Sequence, residues 1–226
     1  MISVTIYKEY NSLPVLDVKD LSFEEGKIYA LIGGNGSGKS TFLKSMANVI
    51  KFQGKTDFGA VKPSEIGYLP QKNFAFDMSV KGNMMLNCGK RKKKDALREA
   101  TELLEKFDLA RYAKKNAARL SGGETQKLAL CRLLFGNYKI LLLDEPTASL
   151  DINSTLKAEE NVNEYFSSRP TTLFMATHSL RQAKALADYV IYLENGHIEE
   201  ITETEEFFRN PYSEKARLFL SFHTDF

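Results

Sequence analysis

The stretch Ile28-Tyr-Ala-Leu-Ile32 runs straight into Gly33-Gly-Asn-Gly-Ser-Gly-Lys-Ser40 and then into Thr41-Phe-Leu-Lys-Ser-Met-Ala-Asn48. Five consecutive apolar residues read as a strand buried on both faces. The glycines that follow let backbone N–H groups close around phosphate oxygens. The segment from Ser40 to Asn48 reads as a helix whose positive end lies behind them. Lys39 is placed to reach the β- and γ-phosphates of a nucleotide, and the Ser40 hydroxyl suits Mg²⁺. A mere glycine-rich turn leaves Lys39 unexplained. Strand, glycine loop and helix in that order predict a phosphate-binding loop over Gly33, Gly34, Asn35, Gly36, Ser37, Gly38, Lys39, Ser40 and Thr41.

Two more continuous apolar runs, Ile140-Leu-Leu-Leu143 and Thr172-Leu-Phe-Met-Ala176, predict further parallel strands. Asp144 and Glu145 follow the first of them and so emerge at its carboxyl end, where ligands bind in open α/β sheets. Two adjacent carboxylates there divide naturally: Asp144 holds the Mg²⁺ shell and Glu145 polarises an attacking water. The bland alternative is an acidic helix cap before Pro146. His178 follows the second run, in Ala176-Thr-His-Ser179. That position favours a γ-phosphate contact over a purely structural histidine.

Around this centre the patterning changes. Residues 1–25 alternate apolar and polar (Ile2, Val4, Ile6, then Val15, Leu21, Phe23), which predicts half-buried antiparallel strands. Tyr189–Leu193, the turn pair Asn195-Gly196 and His197–Ile201 form a hairpin signal. From about 77 to 120 the composition shifts. Lys90-Arg-Lys-Lys-Lys94 precedes a helix with apolar positions at Leu97, Ala100, Leu104 and Phe107. The expected architecture is one domain over 1–226. It has a three-layer α/β core (1–76 and 121–226), an antiparallel β flank and a mainly helical arm (about 77–120).

Bulk properties narrow the partners. Of 226 residues, 31 are Lys or Arg and 29 Asp or Glu, a net charge of +2, so no nucleic-acid footprint is expected. The two cysteines, Cys88 and Cys131, lie far apart, as in a reduced, cytosolic protein. No segment approaches the roughly twenty apolar residues that cross a bilayer, and the N-terminus reads as a strand rather than a signal peptide. If the chain works at a membrane, a partner is expected to carry it there.

One string remains, Leu120-Ser-Gly-Gly-Glu124, and with it the chain resembles an ATP-binding-cassette (ABC) ATPase from about Ile2 to Leu220. The resemblance implies a phosphate-loop NTPase (RecA-like) core with an antiparallel flank and a small helical subdomain. Gly33–Ser40 matches the family's phosphate loop and Ile140–Glu145 its second nucleotide motif. Gln71 matches the glutamine that senses Mg²⁺ and links to the membrane partner. Asp151, in Ser149-Leu-Asp151, matches the loop that crosses the dimer interface, and His178 matches the switch histidine. Tyr10 matches the aromatic that stacks on adenine; an ordinary strand tyrosine is the alternative.

Ser121, Gly122, Gly123 and Glu124 open a helix, so their N–H groups offer a second anion site. The family mechanism brings that site onto the γ-phosphate of ATP held by a second, head-to-tail copy. Departures are Gly34 where proline is common, Thr125 where glutamine often follows the signature, and Lys127 where arginine is usual. The first two touch no phosphate ligand, and at Lys127 one positive charge replaces another, though a planar fork is lost.

A free-standing cassette without a membrane span fits the ATPase subunit of a transporter, peripheral on the inner face of the cell membrane. The implied partners are a transmembrane permease, a second cassette and an external solute-binding protein. The tail, Glu205-Glu-Phe-Phe-Arg-Asn-Pro-Tyr-Ser-Glu-Lys-Ala-Arg-Leu-Phe-Leu220, resembles importer ATPases for polar amino acids and tungstate-type oxyanions. The alternative is a soluble ABC ATPase of the Fe–S assembly or cell-division type. The basic run 90–94 reads as a solvated helix start or as a contact for anionic lipid headgroups or an acidic partner loop.

Overall fold

A computed structural model describes residues 1–223. In chain order the elements are β1 (Ile2–Tyr10), β2 (Leu13–Phe23), β3 (Ile28–Ile32), α1 (Lys39–Met46), β4 (Gln53–Asp57) and β5 (Ile66–Leu69). There follow α2 (Val80–Met85), α3 (Lys93–Lys106), α4 (Gly122–Leu134), β6 (Ile140–Asp144) and α5 (Ile152–Ser167). The chain closes with β7 (Thr172–Ala176), α6 (Leu180–Leu186), β8 (Tyr189–Glu194), β9 (His197–Glu203), α7 (Thr204–Arg209) and α8 (Glu214–Ser221). Contacts divide these into a sheet unit (Met1–Tyr68, Lys139–Glu145 and Pro170 onward) and a helical unit (Leu69–Tyr138 and Pro146–Arg169). The arm expected at 77–120 falls wholly inside the helical unit. That unit also takes α4 and α5, because α4 packs on α2, α3 and α5.

In the sheet unit a six-stranded sheet has the order β5-β6-β7-β3-β8-β9. Strands β6, β7, β3 and β8 run parallel, and β9 returns antiparallel from the Asn195-Gly196 turn. Period-two alternation splits β3 between two cores. Tyr29 and Leu31 face Ile2, Val4, Ile6, Phe42 and Phe174, while Ala30 and Ile32 face Leu180, Ala183, Phe207 and Ala216. An aromatic knot fixes the first core: Tyr29 stacks on Phe174 at 4.9 Å, and Phe23 meets both edge-on at 5.1 and 5.0 Å. Phe23 belongs to the flanking antiparallel sheet, ordered β2-β1-β4. That sheet is thereby fastened over α1 and the parallel strands.

The flank departs from the alternation read in the sequence. Leu16, Val18 and Phe23 are the buried residues of β2, whereas Val15 and Leu21 are only half-buried. Two register irregularities against β1 shift the parity, one of them beside Asp20 at φ 50°. At the far end a buried carboxylate ties down the tail. Glu200 on β9, 1% exposed, accepts hydrogen bonds from the backbone N–H of Tyr212 (3.3 Å) and of Ser213 (2.9 Å). These contacts seat α8, whose Ala216 is buried.

In the helical unit the fully buried row of α3 is Ala96, Ala100 and Leu104, continued by Phe107; Leu97 is half-buried. The basic run that precedes it is not uniform. Lys90, Lys92, Lys93 and Lys94 are exposed, but Arg91 is a structural hub. Its guanidinium lies 3.9 Å over the Phe135 ring and donates to Glu99 (2.7 Å) and to the carbonyls of Asn87 (2.6 Å), Cys88 (2.8 Å) and Phe135 (2.7 Å). Arg91→Ala strands several of these acceptors, so it is expected to cost about 2–3 kcal/mol. Thermal melting should drop by about 5–10 °C, whereas Lys93→Ala should melt within a degree or two of the parent. An unchanged melting point for Arg91→Ala would remove the hub. Among the described residues no helix is long and apolar enough to cross a membrane.

Candidate nucleotide site

The site begins where β3 ends. Gly33 stands at φ +147°, and a Cβ there would sit 2.1 Å from the carbonyl oxygen of Leu193 on β8. Only glycine lets the loop leave the sheet this close to its neighbour. The loop then curls, with Ser37 N–H donating to Gly34 O (3.2 Å) and Gly196 N–H donating to Ser37 O (3.0 Å). It delivers Lys39 to the first turn of α1, where the side chain is 6% exposed. Its Nζ donates to Gly33 O (2.8 Å) and Gly34 O (3.0 Å), the carbonyls of its own loop. Burial lowers the lysine's pKa, opposed by the charges of Glu145 and Asp144.

Parallel registration brings the remaining groups to the same sheet edge. Asp144 pairs with Ala176 across β6 and β7, Glu145 N–H donates to Ala176 O (3.0 Å), and Thr177 N–H donates to Leu31 O (3.1 Å). Ser40 Oγ donates to Asp144 Oδ1 at 2.9 Å, while Asp144 Oδ2 is buried and finds no hydrogen-bond partner among the described residues. Burial raises the Asp144 pKa, and the Ser40 hydroxyl and then Lys44 and Lys39 oppose the rise. A buried carboxylate oxygen with a free lone pair, next to a hydroxyl, fits a hard divalent cation.

Glu145 turns the chain out of β6 in the left-handed region, φ +52°, uncommon for a side chain of its kind. Its Oε1 lies 3.1 Å from His178 Nε2. Burial, and after it the Lys39 charge, lowers the histidine's pKa, so the neutral ring donates to the carboxylate at neutral pH. Burial raises the Glu145 pKa, offset in part by a hydrogen bond from the His178 backbone and by Lys39.

Lys39, Ser40, Asp144, Glu145 and His178 thus converge. Sequence reading missed one neighbour, Tyr68 on β5, whose phenol is held well above its ordinary pKa by burial and by the Asp144 carboxylate. An apolar-looking Ile-Gly-Tyr-Leu strand carries no sign of that contact. Tyr10, at the end of β1, is exposed, with Lys8 Nζ 4.4 Å over its ring.

The other expected residues lie in the helical unit. Ser121 caps α4 through a reciprocal pair: Glu124 N–H donates to Ser121 Oγ (3.3 Å) and Ser121 N–H donates to Glu124 Oε2 (2.8 Å). A Cβ on Gly123 would lie 3.1 Å from Ser149 O, and Ser149 N–H donates to Gln126 Oε1 (2.9 Å). The signature therefore sits against the 149–151 loop, and Gln126, unremarked in the sequence, holds it there. Asp151 caps α5, accepting from Ser154 N–H (2.9 Å) and Ser154 Oγ (2.7 Å). Gln71 is exposed, and Phe74, Phe76 and Met78, all exposed, follow it. Arg132 lies over both phenylalanine rings, at 5.6 and 5.0 Å.

A parallel sheet whose carboxyl edge carries this loop, lysine and paired carboxylate defines a phosphate-loop nucleoside triphosphatase core. The family model described as ABC transporter matches residues 16–148. The tungstate uptake system ATP-binding protein TupC of Peptoclostridium acidaminophilum is 33% identical over 208 residues, covering 85% of this chain and 94% of that one. The glutamate transport ATP-binding protein GluA of Corynebacterium glutamicum is 33% identical over 240 aligned positions, covering 97% and 98%. The phosphate import ATP-binding protein PstB of Campylobacter jejuni is 35% identical over 225, covering 89% and 90%.

Two solved structures share the fold. One, described as an ATP-binding subunit of an ABC transporter, has TM-score 0.85 at 21% identity, covering 99% of this chain and 100% of that one. The other is a dimeric ATP-binding cassette in a post-hydrolysis state with ADP and Pi. It has TM-score 0.78 at 24% identity and covers 90% and 99%. The chain belongs to the ABC transporter family, as an ATP-binding ATPase subunit.

Proposed function

We propose that this chain is the ATPase subunit of a membrane importer, in which ATP closes two head-to-tail cassettes and hydrolysis reopens them. The observation that carries the reading is the convergence of Lys39, Ser40, Asp144, Glu145 and His178 at one sheet edge. Lys39 is held by two carbonyls of its own loop, and phosphate oxygens are better partners for its charge. The N–H groups of 33–41 cradle the phosphates, and Tyr10 stacks on adenine. Ser40 and Asp144 would hold Mg²⁺, which neutralises phosphate charge when bound, and Gln71 is the glutamine that the family resemblance adds to that role.

Glu145, aimed by its left-handed backbone, takes a proton from the attacking water, and His178 orients it and reaches toward the γ-phosphate. Ser121, Gly122, Gly123 and Glu124 close on the ATP of the partner cassette, with Asp151 shaping the loop beside them. The arm at 77–120 and the exposed Phe74, Phe76 and Met78 after Gln71 supply a face for a permease. The chain is then peripheral at the inner face of the membrane. Importer relatives support the direction of transport, and their names support an oxyanion or amino-acid cargo; a solute-binding protein is the further companion expected of an importer.

The test is affinity capture of the tagged chain from detergent-solubilised membranes, with mass spectrometry. A polytopic membrane protein is the expected companion. Recovery with soluble proteins alone would move the chain to the non-transport branch of the family.

A pH limb follows from the same geometry. Glu145 acts only when ionised, and burial holds its pKa above the ordinary value of 4.5. Acidification therefore protonates it early, and ATPase activity should fall with unit slope around a midpoint above 4.5. A profile flat down to that pH would remove Glu145 as the base.

A further inference from the structure

We infer that Lys8 is a positioning residue for the nucleotide base: it fixes Tyr10 from behind so that only one ring face is offered to a purine. This rests on the stacking role of Tyr10 proposed above. Ile2, Val4 and Ile6 form the buried row of β1, and Lys8, half-buried, and Tyr10, exposed, continue it by parity, the extra residues of the ladder falling on β2. Across the ladder Lys8 pairs with Leu16 and Tyr10 with Leu13. Leu16 is buried, and its Cδ1 lies 3.2 Å from where a side chain on Gly38 would begin. A row that starts as core therefore ends, at Lys8, beside the phosphate loop.

A half-buried lysine opposite a buried leucine is an unusual place for a solvated charge. Among the described residues the Lys8 side chain forms no salt bridge and no hydrogen bond; its Nζ sits 4.4 Å from the centroid of the Tyr10 ring. One face of that ring is thereby occupied, while the residue stays 46% exposed. The ammonium does two things. It orders the ring before the base arrives, so less freedom is lost on stacking. It also draws on the ring's π-electrons, which favours an electron-rich purine on the open face. The ligand class is a purine nucleoside triphosphate, and the gain belongs to the base alone.

The experiment measures dissociation constants for ATP and for inorganic triphosphate, which has no base, on the full chain with Lys8→Met, Lys8→Arg and Tyr10→Ala. Lys8→Met should weaken ATP about two- to five-fold, the range of an exposed cation–π contact, and leave triphosphate unchanged. Lys8→Arg should restore ATP binding, and Lys8→Met added to Tyr10→Ala should have no further effect. Equal weakening of ATP and triphosphate would assign Lys8 to the phosphates and overturn the inference. So would a silent Lys8→Met when Tyr10→Ala weakens ATP. A silent Tyr10→Ala fails differently: it removes the stacking role itself.

Discussion

Glu145→Gln binds ATP, does not turn it over and accumulates as a dimer: that is the outcome expected of the single largest catalytic lesion in this chain. The amide keeps the shape of the side chain and its contact with His178, 3.1 Å away in the parent, but cannot accept a proton from water. Loss of a positioned base costs about 10²–10⁴-fold in rate. The phosphate loop, Lys39 and the Ser121–Gly123 segment are untouched, so both proposed clamps on the nucleotide remain. Light scattering with ATP and Mg²⁺ should report twice the monomer mass, and single-turnover assays should show bound, intact ATP. A chain that stays monomeric under saturating ATP would remove the sandwich from the mechanism. Wild-type turnover would remove Glu145.

Lys39→Ala should fail one step earlier. Charge-assisted contacts to phosphate are worth about 2–3 kcal/mol, so ATP binding should weaken by about 30- to 150-fold. The unliganded protein should lose little stability. Burial already disfavours the Lys39 charge against the pull of Glu145 and Asp144, and among the described residues its hydrogen bonds go to Gly33 O and Gly34 O. Thermal shift separates the two effects. Parent chain at one hundred times the dissociation constant gains about 2.7 kcal/mol, and the variant at the same ATP concentration should gain only about 0.3–0.9 kcal/mol. Retained ATP affinity would contradict the phosphate-loop role of Lys39. The two variants therefore divide binding from chemistry: one holds nucleotide without cleaving it, the other does not hold it.

How much of this was legible depended on whether the chemistry sits in a contiguous string. The loop Gly33–Ser40 and the runs ending at Asp144 and Ala176 are local patterns, and the sheet places them side by side as their order implies. β4 was invisible because Gln53-Gly-Lys-Thr-Asp57 has no apolar alternation; it is a strand only through its ladder with β1. Parity on β2 was misread because bulges are set by backbone turns such as that at Asp20. Arg91 was hidden inside a run of lysines, where charge counting treats all members alike. Tyr68 beside Asp144 and Gln126 under Ser149 are contacts between distant segments, which no spacing rule reports.

The cap at the start of α4 has a consequence for how the molecular cycle stops. Ser121 Oγ and the Glu124 carboxylate are spent on each other's backbone, and the hydrogen bond from Ser121 holds the Glu124 pKa below its ordinary value. In the proposed sandwich, what remains to grasp a neighbour's ATP is the Ser121 hydroxyl hydrogen and the main-chain amides of Gly122 and Gly123, none of which has a proton to gain in acid. The grip and the cutting step therefore have unequal tolerance. In the proposed cycle, acid is therefore expected to silence Glu145 while these donors still hold, leaving closed pairs with their fuel unspent.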